Sequence, residues 1–201
     1  MDKILSTFSY GICVFSLDGL TSFLKENKIR TKKVVQYLQK NPDMYLKVLE
    51  EGIWVPFVGI NSIKYLIKLE GYDQPFDDEW EQKFEYFDFN IEVKEGLWFS
   101  DLESFYPFEN DKFVDGKEVY YQTEALIGTN FETLTTYSAF KYDVPSGKYL
   151  LSIKGYKRKQ ELEFPTPNCG FLFSLVSVKQ FDGYNNPRED EIYDFNVANM
   201  E

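Results

Sequence analysis

Short runs of apolar residues through the last third of the chain predict β-strands. Residues 135–144 and 148–155 have strand-like composition, and the tripeptide Pro-Ser-Gly at 145–147 separates them. Proline fixes φ and glycine accepts positive φ, so this tripeptide predicts a tight turn. Residues 171–178 are too apolar for an exposed strand and predict one in the core. Residues 192–197 predict a final short strand.

The middle of the chain has the same extended character. Residues 53–60 are apolar but contain Pro56, which predicts an edge strand. Residues 63–70 and 84–91 alternate between apolar and polar side chains, as half-buried strands do. Three more segments are predicted to be extended: 97–99 and 104–108 as the arms of a hairpin, and 4–17 as a buried strand. The last is too short to span a bilayer and lacks the features of a signal peptide.

Helical periodicity is confined to the first quarter of the chain. A cap at Thr21 or Ser22 predicts one helix, and Thr31 predicts the start of a second. Pro42 is suited to the first position of a third helix. Gly52 is suited to its C-terminal end, because glycine accepts the left-handed conformation.

The length of 201 residues fits a single domain over 1–201. Aromatic residues make up 18% of the chain, and Phe and Tyr favour pleated, half-buried surfaces. We therefore predict a mostly β (α+β) protein. Its expected architecture is an antiparallel β-sandwich over about 53–201, with a small N-terminal helical segment over about 20–52.

Charge is distributed unevenly along the chain. The net charge is −11, but residues 71–140 carry 17 acidic and only 4 basic side chains. Residues 1–70 are mildly basic and residues 141–201 nearly neutral. Such a field disfavours a nucleic-acid phosphate backbone as partner and favours capture of a basic protein. Acidity that serves solubility alone is the competing interpretation.

Catalytic machinery is hard to find in the sequence. There is no histidine, so the commonest general base and the usual triads are missing. Carboxylate pairs, such as Asp101 with Glu103, leave glycoside hydrolysis as a minor alternative. We expect no enzyme activity, no metal and no cofactor. Cys13 and Cys169 predict two buried, reduced thiols and a cytoplasmic protein.

Two stretches rich in basic residues allow other interpretations. The segment 21–51 is compatible with a DNA-binding regulatory protein, with 29–38 as a recognition helix. Against this, residues 71–201 carry a net charge of −14 and would repel DNA. The basic cluster 154–159 is either a solvated turn or an internal partner of the acidic middle third. A β-sandwich that binds a small ligand, such as a carbohydrate, is a further alternative.

Aromatic and acidic side chains are interleaved through the middle third. Exposed aromatic anchors among carboxylates suit a basic partner, although half of the aromatic residues must face the core. The residues predicted to contact the partner are Asp77, Asp78, Glu79, Trp80, Glu81, Tyr86, Glu103, Tyr106, Glu109, Asp111, Asp115 and Tyr120. The aromatic members of this set are expected to be exposed.

An apolar strand ends in Asp143-Val144-Pro145 and is followed by Gly147 and by a strand that begins at Tyr149. With this pattern, most clearly over 128–153, the chain over about residues 129–178 resembles the bacterial competence protein J family of nuclease inhibitors. The run 171–178 occupies a similar place. The resemblance implies a β-sandwich-like fold and direct binding to a DNA-cleaving enzyme. Together with the charge pattern, it predicts an immunity protein or antitoxin-like inhibitor of a basic protein toxin, with a nuclease as the expected target.

Overall fold

The computed structural model describes residues 3–114, 120–127 and 130–201, and only the backbone of 120–127 and 130–134. Within these ranges the chain is mostly β, as predicted. The helices are α1 Leu17–Glu26, α2 Val34–Lys40, α3 Pro42–Glu50 and α4 Asn110–Val114. The strands are β1 Lys3–Ser6, β2 Gly11–Phe15, β3 Trp54–Val58, β4 Lys64–Leu69, β5 Trp80–Val93, β6 Leu97–Asp101, β7 Tyr120–Ile127, β8 Asn130–Tyr137, β9 Ala139–Tyr142, β10 Gly147–Arg158 and β11 Cys169–Val178.

The described strands form two sheets. One has seven strands in the order β5-β10-β11-β4-β1-β8-β7, and the other has four in the order β3-β2-β6-β9. The smaller sheet is antiparallel throughout. The larger sheet is mixed, because β11 runs parallel to β4 and β8 runs parallel to β1. The prediction of a wholly antiparallel arrangement was therefore wrong for this sheet. These neighbours are distant in sequence, so no hairpin forces them to be antiparallel.

One hydrophobic cluster contains side chains from both sheets. Leu5 and Phe171 come from the seven-stranded sheet, and Val14, Phe57 and Phe99 come from the four-stranded sheet. All five are 1% exposed or less. Burial of this apolar surface is the main stabilising term for the pairing of these elements.

A second cluster lies on the opposite face of the four-stranded sheet. Phe15, Trp54 and Trp98 pack there against helix residues such as Leu20 and Val48. The four-stranded sheet is consequently buried on both faces. This double burial explains why β2 is apolar at every position, where a half-buried strand would alternate.

The apolar run 4–17 was predicted as one strand but forms two. β1 pairs with β4 in the larger sheet, whereas β2 pairs with β3 and β6 in the smaller one. Tyr10, with φ of 58°, lies in the connection between them. These two strands precede the helices, so the β part of the fold is not confined to residues after 53.

Two of the predicted helix starts were wrong, and the third was right. Helix α1 begins at Leu17, where Ser16 occupies the N-cap position and its hydroxyl donates to the carbonyl of Lys94. That bond attaches the start of the helix to the β5–β6 connection, and the helix begins four residues before the predicted cap at Thr21. Helix α2 begins at Val34, three residues after Thr31.

Helix α3 begins at Pro42 as predicted. Gly52, with φ of +67°, follows its end, also as predicted.

The strand predictions succeeded where a turn or a strict alternation marked the segment. Pro56 lies in edge strand β3, as predicted. The predicted hairpin around 101–103 was wrong, because β6 continues into a 3₁₀ helix at Leu102–Phe105. Residues 192–197 were also predicted wrongly: they form no strand, and Phe195 and Val197 are buried in the core as irregular chain and the start of a short 3₁₀ helix.

Candidate protein-binding surface

The first group of predicted contact residues lies at and just before the start of β5. Asp77 and Asp78 are exposed. Trp80 was expected to be exposed but is only 7% exposed. Its ring lies 4.7 Å from that of Phe76, and the guanidinium of Arg158 lies 4.5 Å from its centroid. These two contacts cover the indole, so it is not an exposed anchor for a partner.

Basic residues neutralise much of this first group. Arg158 Nη1 lies 2.6 Å from Glu79 Oε2, and Lys154 Nζ lies 3.0 Å from Glu85 Oε1. The basic cluster 154–159 thus pairs internally with the acidic middle third. Glu81 lies 2.6 Å from Lys83 Nζ, and the hydrogen bond from this lysine lowers the pKa of the Glu81 carboxyl. Glu79, Glu81 and Glu85 are therefore paired in the fold, whereas Asp77 and Asp78 have no ion pair among the described residues.

The second group of predicted residues surrounds the 3₁₀ helix after β6. Glu103, Tyr106 and Asp111 are exposed. Glu109 is half-buried and lies 2.6 Å from Lys32 Nζ, which lowers the pKa of its carboxyl. Glu103 and Tyr106 border a shallow cleft of about 250 Å³.

Asp101 lies at the bottom of this cleft and is 1% exposed. Its carboxylate accepts hydrogen bonds from the backbone N–H of Phe8, at 3.1 Å, and from the hydroxyl of Ser9. Burial raises the pKa of the Asp101 carboxyl. The bonds hold the β1–β2 connection in place, so the buried carboxylate of Asp101 has a structural role.

Tyr86 lies where β5 departs from regular pairing with β10. Phe87 and Asp88 lie opposite a single residue of β10, Ser152, which is the geometry of a β-bulge. Asp88 has φ of 64°, and Phe87 is 51% exposed. Because β5 is an edge strand, the bulge turns an aromatic ring and a carboxylate away from the sheet and disrupts the open edge.

Residues 182–194 pack beside this bulge and are held there by side chains. Asn185 Nδ2 donates to the carbonyl of Phe87 at 3.0 Å, and Asn90 Nδ2 donates to the carbonyl of Gly183 at 2.7 Å. The hydroxyl of Tyr86 lies 3.1 Å from both the backbone nitrogen and oxygen of Asp194. Tyr86, expected to be an exposed contact, is thus half-buried and acts as an attachment point for the segment.

This arrangement gathers acidic and aromatic groups on one surface, which we call the bulge surface: Phe87, Asp88 and residues 182–194. Tyr184 and Ile192 are 40% and 57% exposed. The exposed acidic members are Asp88, Asp182, Glu189, Asp190, Glu191 and Asp194. Among the described residues, none of them forms an ion pair with a lysine or arginine. Burial, followed by the charge of Glu189, raises the pKa of the Tyr193 hydroxyl.

Sequence reasoning missed most of the bulge surface. The run Glu189-Asp190-Glu191-Ile192-Tyr193-Asp194 carries the same acidic and aromatic mixture that drew attention to the middle third. It was overlooked because residues 141–201 as a whole are almost neutral. A shorter charge window would have found the run, but not the β5 residues beside it.

The basic helices do not form the predicted recognition helix. Residues 29–33 lie outside any helix, and α2 has seven residues. Lys32 pairs with Glu109, and Lys47 lies 3.6 Å from Glu51. Lys32 and Lys47, two of the lysines considered for DNA binding, are therefore already paired with carboxylates of the same chain.

Two predicted contact residues cannot be placed on these surfaces. Asp115 lies outside the described residues. Tyr120 begins β7, but its side chain lies outside the described part of the structure.

The described residues contain no group of three or more Cys, Asp or Glu side chains arranged to hold a metal ion. Among the same residues, no helix is both long and apolar enough to cross a membrane. No protein-family model, curated protein sequence or solved structure matches the chain. The surfaces themselves therefore carry the functional argument.

Proposed function

We propose that this chain is a non-enzymatic inhibitor, of the immunity-protein or antitoxin kind, that binds a basic protein toxin through the bulge surface. A nuclease is the favoured target, because its substrate-binding surface must be basic. The observation that carries the proposal is the packing of the acidic segment 182–194 against the outward-turned Phe87 and Asp88.

The charges of the bulge surface suit association with a cationic protein. The six exposed acidic side chains of this surface outnumber Arg188, its one basic side chain, so they repel one another and a basic partner relieves that repulsion. Long-range attraction of this kind mainly raises the association rate and selects partners of opposite charge. Asp88 and Glu189 lie close enough together for both to act on Tyr193, so their fields add.

Apolar groups on the same surface provide the short-range part of the binding energy. Phe87, Tyr184 and Ile192 each expose 40% or more of their surface. Aromatic side chains ringed by polar groups dominate the energetics of many interfaces. Asn185, Asn90 and Tyr86 hold the segment 182–194 against β5. Because the segment is already ordered, binding loses less conformational entropy than it would with a mobile loop.

The proposal includes a β-sandwich scaffold and a cytoplasmic location. Side chains of both sheets share one hydrophobic cluster, which supports the sandwich. Cys13 and Cys169 are free and buried, which suits a reducing compartment. The resemblance of residues 128–153 to the competence nuclease inhibitors points to the same class of target.

Affinity capture with two charge-matched variants tests the proposal. The immobilised protein captures partners from a lysate at low salt, and bound proteins are eluted with a salt gradient and identified. The test variant carries Asp88→Asn, Glu189→Gln and Glu191→Gln. The control carries Asp77→Asn, Asp78→Asn and Asp111→Asn, which are exposed acidic positions outside the bulge surface. Both variants remove three negative charges.

We expect a basic partner that elutes with salt from the wild type and the control but is lost from the test variant. The purified partner's toxic or nuclease activity should then fall in proportion to added wild-type protein. If the partner were lost from the control variant alone, the interface would lie at the acidic residues 77, 78 and 111 of the middle third instead of the bulge surface. An acidic partner, or retention indifferent to salt, would refute binding by charge.

A further inference from the structure

A groove of about 390 Å³ lies away from the bulge surface, between the β1–β2 connection, the start of β4 and the loop after β10. Its volume falls in the range of roughly 300–1,000 Å³ that is usual for small-molecule sites. Its apolar lining comes mainly from Phe8, Ile63, Phe164, Pro165 and Pro167. Phe8 and Phe164 are 57% and 78% exposed, so their rings stand at the groove with much of their surface open to solvent.

Internal hydrogen bonds stabilise each wall of the groove. Asn168 and Leu162 exchange two bonds of 2.9 Å, which close the loop after β10 upon itself. On the opposite side, the backbone N–H of Thr7 donates to the carbonyl of Ile63 at 3.1 Å. The hydroxyl of Ser62 donates to the carbonyl of Thr7 at 2.6 Å. Each wall therefore has hydrogen bonds of its own that do not require a ligand.

Lys64 is the cation of this groove, and it lacks a carboxylate partner. Its Nζ lies 4.3 Å from the centroid of the Phe164 ring, and no ion pair involves it among the described residues. Partial burial lowers the pKa of its ammonium group, with no contribution from a neighbouring charge. Glu161 and Glu163 lie on the same loop but are exposed and unpaired with it.

We propose that this groove binds a small apolar monocarboxylate, whose hydrocarbon part contacts Phe8, Ile63 and Phe164 and whose carboxylate pairs with the ammonium group of Lys64. Two independent observations support the choice of ligand. The walls are predominantly apolar, so the body of the ligand must be apolar too. The single ionic group available to it is an unpaired cation, so its head group must be an anion. The inference does not depend on the inhibitor function, which uses another surface.

Octanoate is the probe for this site, and octan-1-ol is its uncharged counterpart. Each is titrated into the isotopically labelled full-length protein, and binding is followed by NMR shifts of residues lining the groove and by calorimetry. Lys64→Met removes the charge while keeping an unbranched side chain. Lys68→Met is the matched control, because Lys68 lies on the same strand and over another ring, that of Phe76 at 4.9 Å.

We expect saturable one-to-one binding of octanoate, with shifts at Phe8, Ile63 and Phe164. Octanol should bind more weakly, and Lys64→Met should weaken octanoate binding by about tenfold or more, as loss of a charged hydrogen bond implies. Lys68→Met should bind like the wild type. Equal affinity for octanoate and octanol, unchanged binding by Lys64→Met, or shifts elsewhere would overturn the proposal. If Lys64→Met fails to fold, the affinity of Lys64→Gln for octanoate, and the difference between octanoate and octan-1-ol binding to the wild type, still test the role of the charge.

Discussion

Asn185 donates a hydrogen bond from Nδ2 to the backbone carbonyl of Phe87. The acidic segment 182–194 thus supplies a hydrogen-bond donor to the bulged strand β5. The bond is 3.0 Å long and joins residues 98 positions apart. It supplies a partner to a carbonyl of an edge strand at the point where regular pairing fails. The bulge and the segment therefore stabilise each other.

Asn185→Ala should loosen residues 182–194 without unfolding the protein. Loss of one hydrogen bond by a half-buried amide should lower the free energy of unfolding by about 1 kcal/mol. Hydrogen exchange measured by mass spectrometry should accelerate in 182–194 and little elsewhere. Gln180→Ala is the control, because the one side-chain hydrogen bond of Gln180 among the described residues goes to nearby Asp182 and does not reach β5. Unchanged exchange in the segment would mean that Asn90 and Tyr86 suffice to hold it.

The pairing of Glu79 with Arg158 should matter less for its charge than for its packing. Glu79 has 67% of its side chain exposed, so Glu79→Gln should change the free energy of unfolding by less than about 1 kcal/mol. Arg158→Ala should cost more, because the arginine also covers the face of Trp80. Urea denaturation of the two variants gives the comparison. Equal losses would show that the ion pair outweighs the contact with the indole.

Both thiols should react slowly in the folded protein. Burial raises the pKa of the Cys169 thiol to about 11 and that of Cys13 well above its ordinary value. At pH 8 the thiolate fraction of Cys169 should be about 100-fold below that of an exposed thiol with an ordinary pKa near 9. A colorimetric disulfide reagent should therefore detect both cysteines quickly in urea and barely without it. Cys169→Ser identifies the reacting residue if one thiol proves accessible.

Local chemistry allowed several elements to be predicted from sequence. Pro42 and Gly52 delimit α3 through backbone preferences that act within a few residues, and Pro56 marks an edge strand for the same reason. The division of residues 4–17 between two sheets was not predictable in this way. It depends on pairing of β1 with β4 and of β2 with β6, which are set by contacts far along the chain.

The candidate surface shows the same limit more strongly. Counting charges located acidity in the middle third, but Arg158 and Lys154, which lie far along the chain, compensate part of it by pairing with Glu79 and Glu85. Among the described residues, a further group of acidic side chains without ion pairs lies where Asp88 meets residues 182–194, and the charge count did not find it. The β-bulge opposite Ser152 brings Asp88 to this position, and nothing in the local sequence of β5 predicts a bulge.

Asp101 provides a pH-dependent test of the β1–β2 connection. Burial raises the pKa of its carboxyl above the ordinary value near 3.8, so the folded state holds the proton more tightly than the unfolded state. For this group alone, stability therefore increases as the pH falls through its folded-state pKa. Asp101→Asn cannot titrate, and its amide nitrogen replaces one of the two carboxylate oxygens, of which Oδ2 accepts from Phe8 and Oδ1 from Ser9. The variant should be less stable by about 1–3 kcal/mol at pH 7.

The gap between the two proteins should widen as the pH is lowered from 7 towards 4, because only the wild type gains from protonation. Urea denaturation at several pH values measures the gap, and taking the difference removes the titration of all other groups. Asp111→Asn is the control, because Asp111 is exposed. A gap that narrows on acidification would mean that hydrogen bonds from Phe8 and Ser9 outweigh burial and that the carboxylate is favoured in the fold.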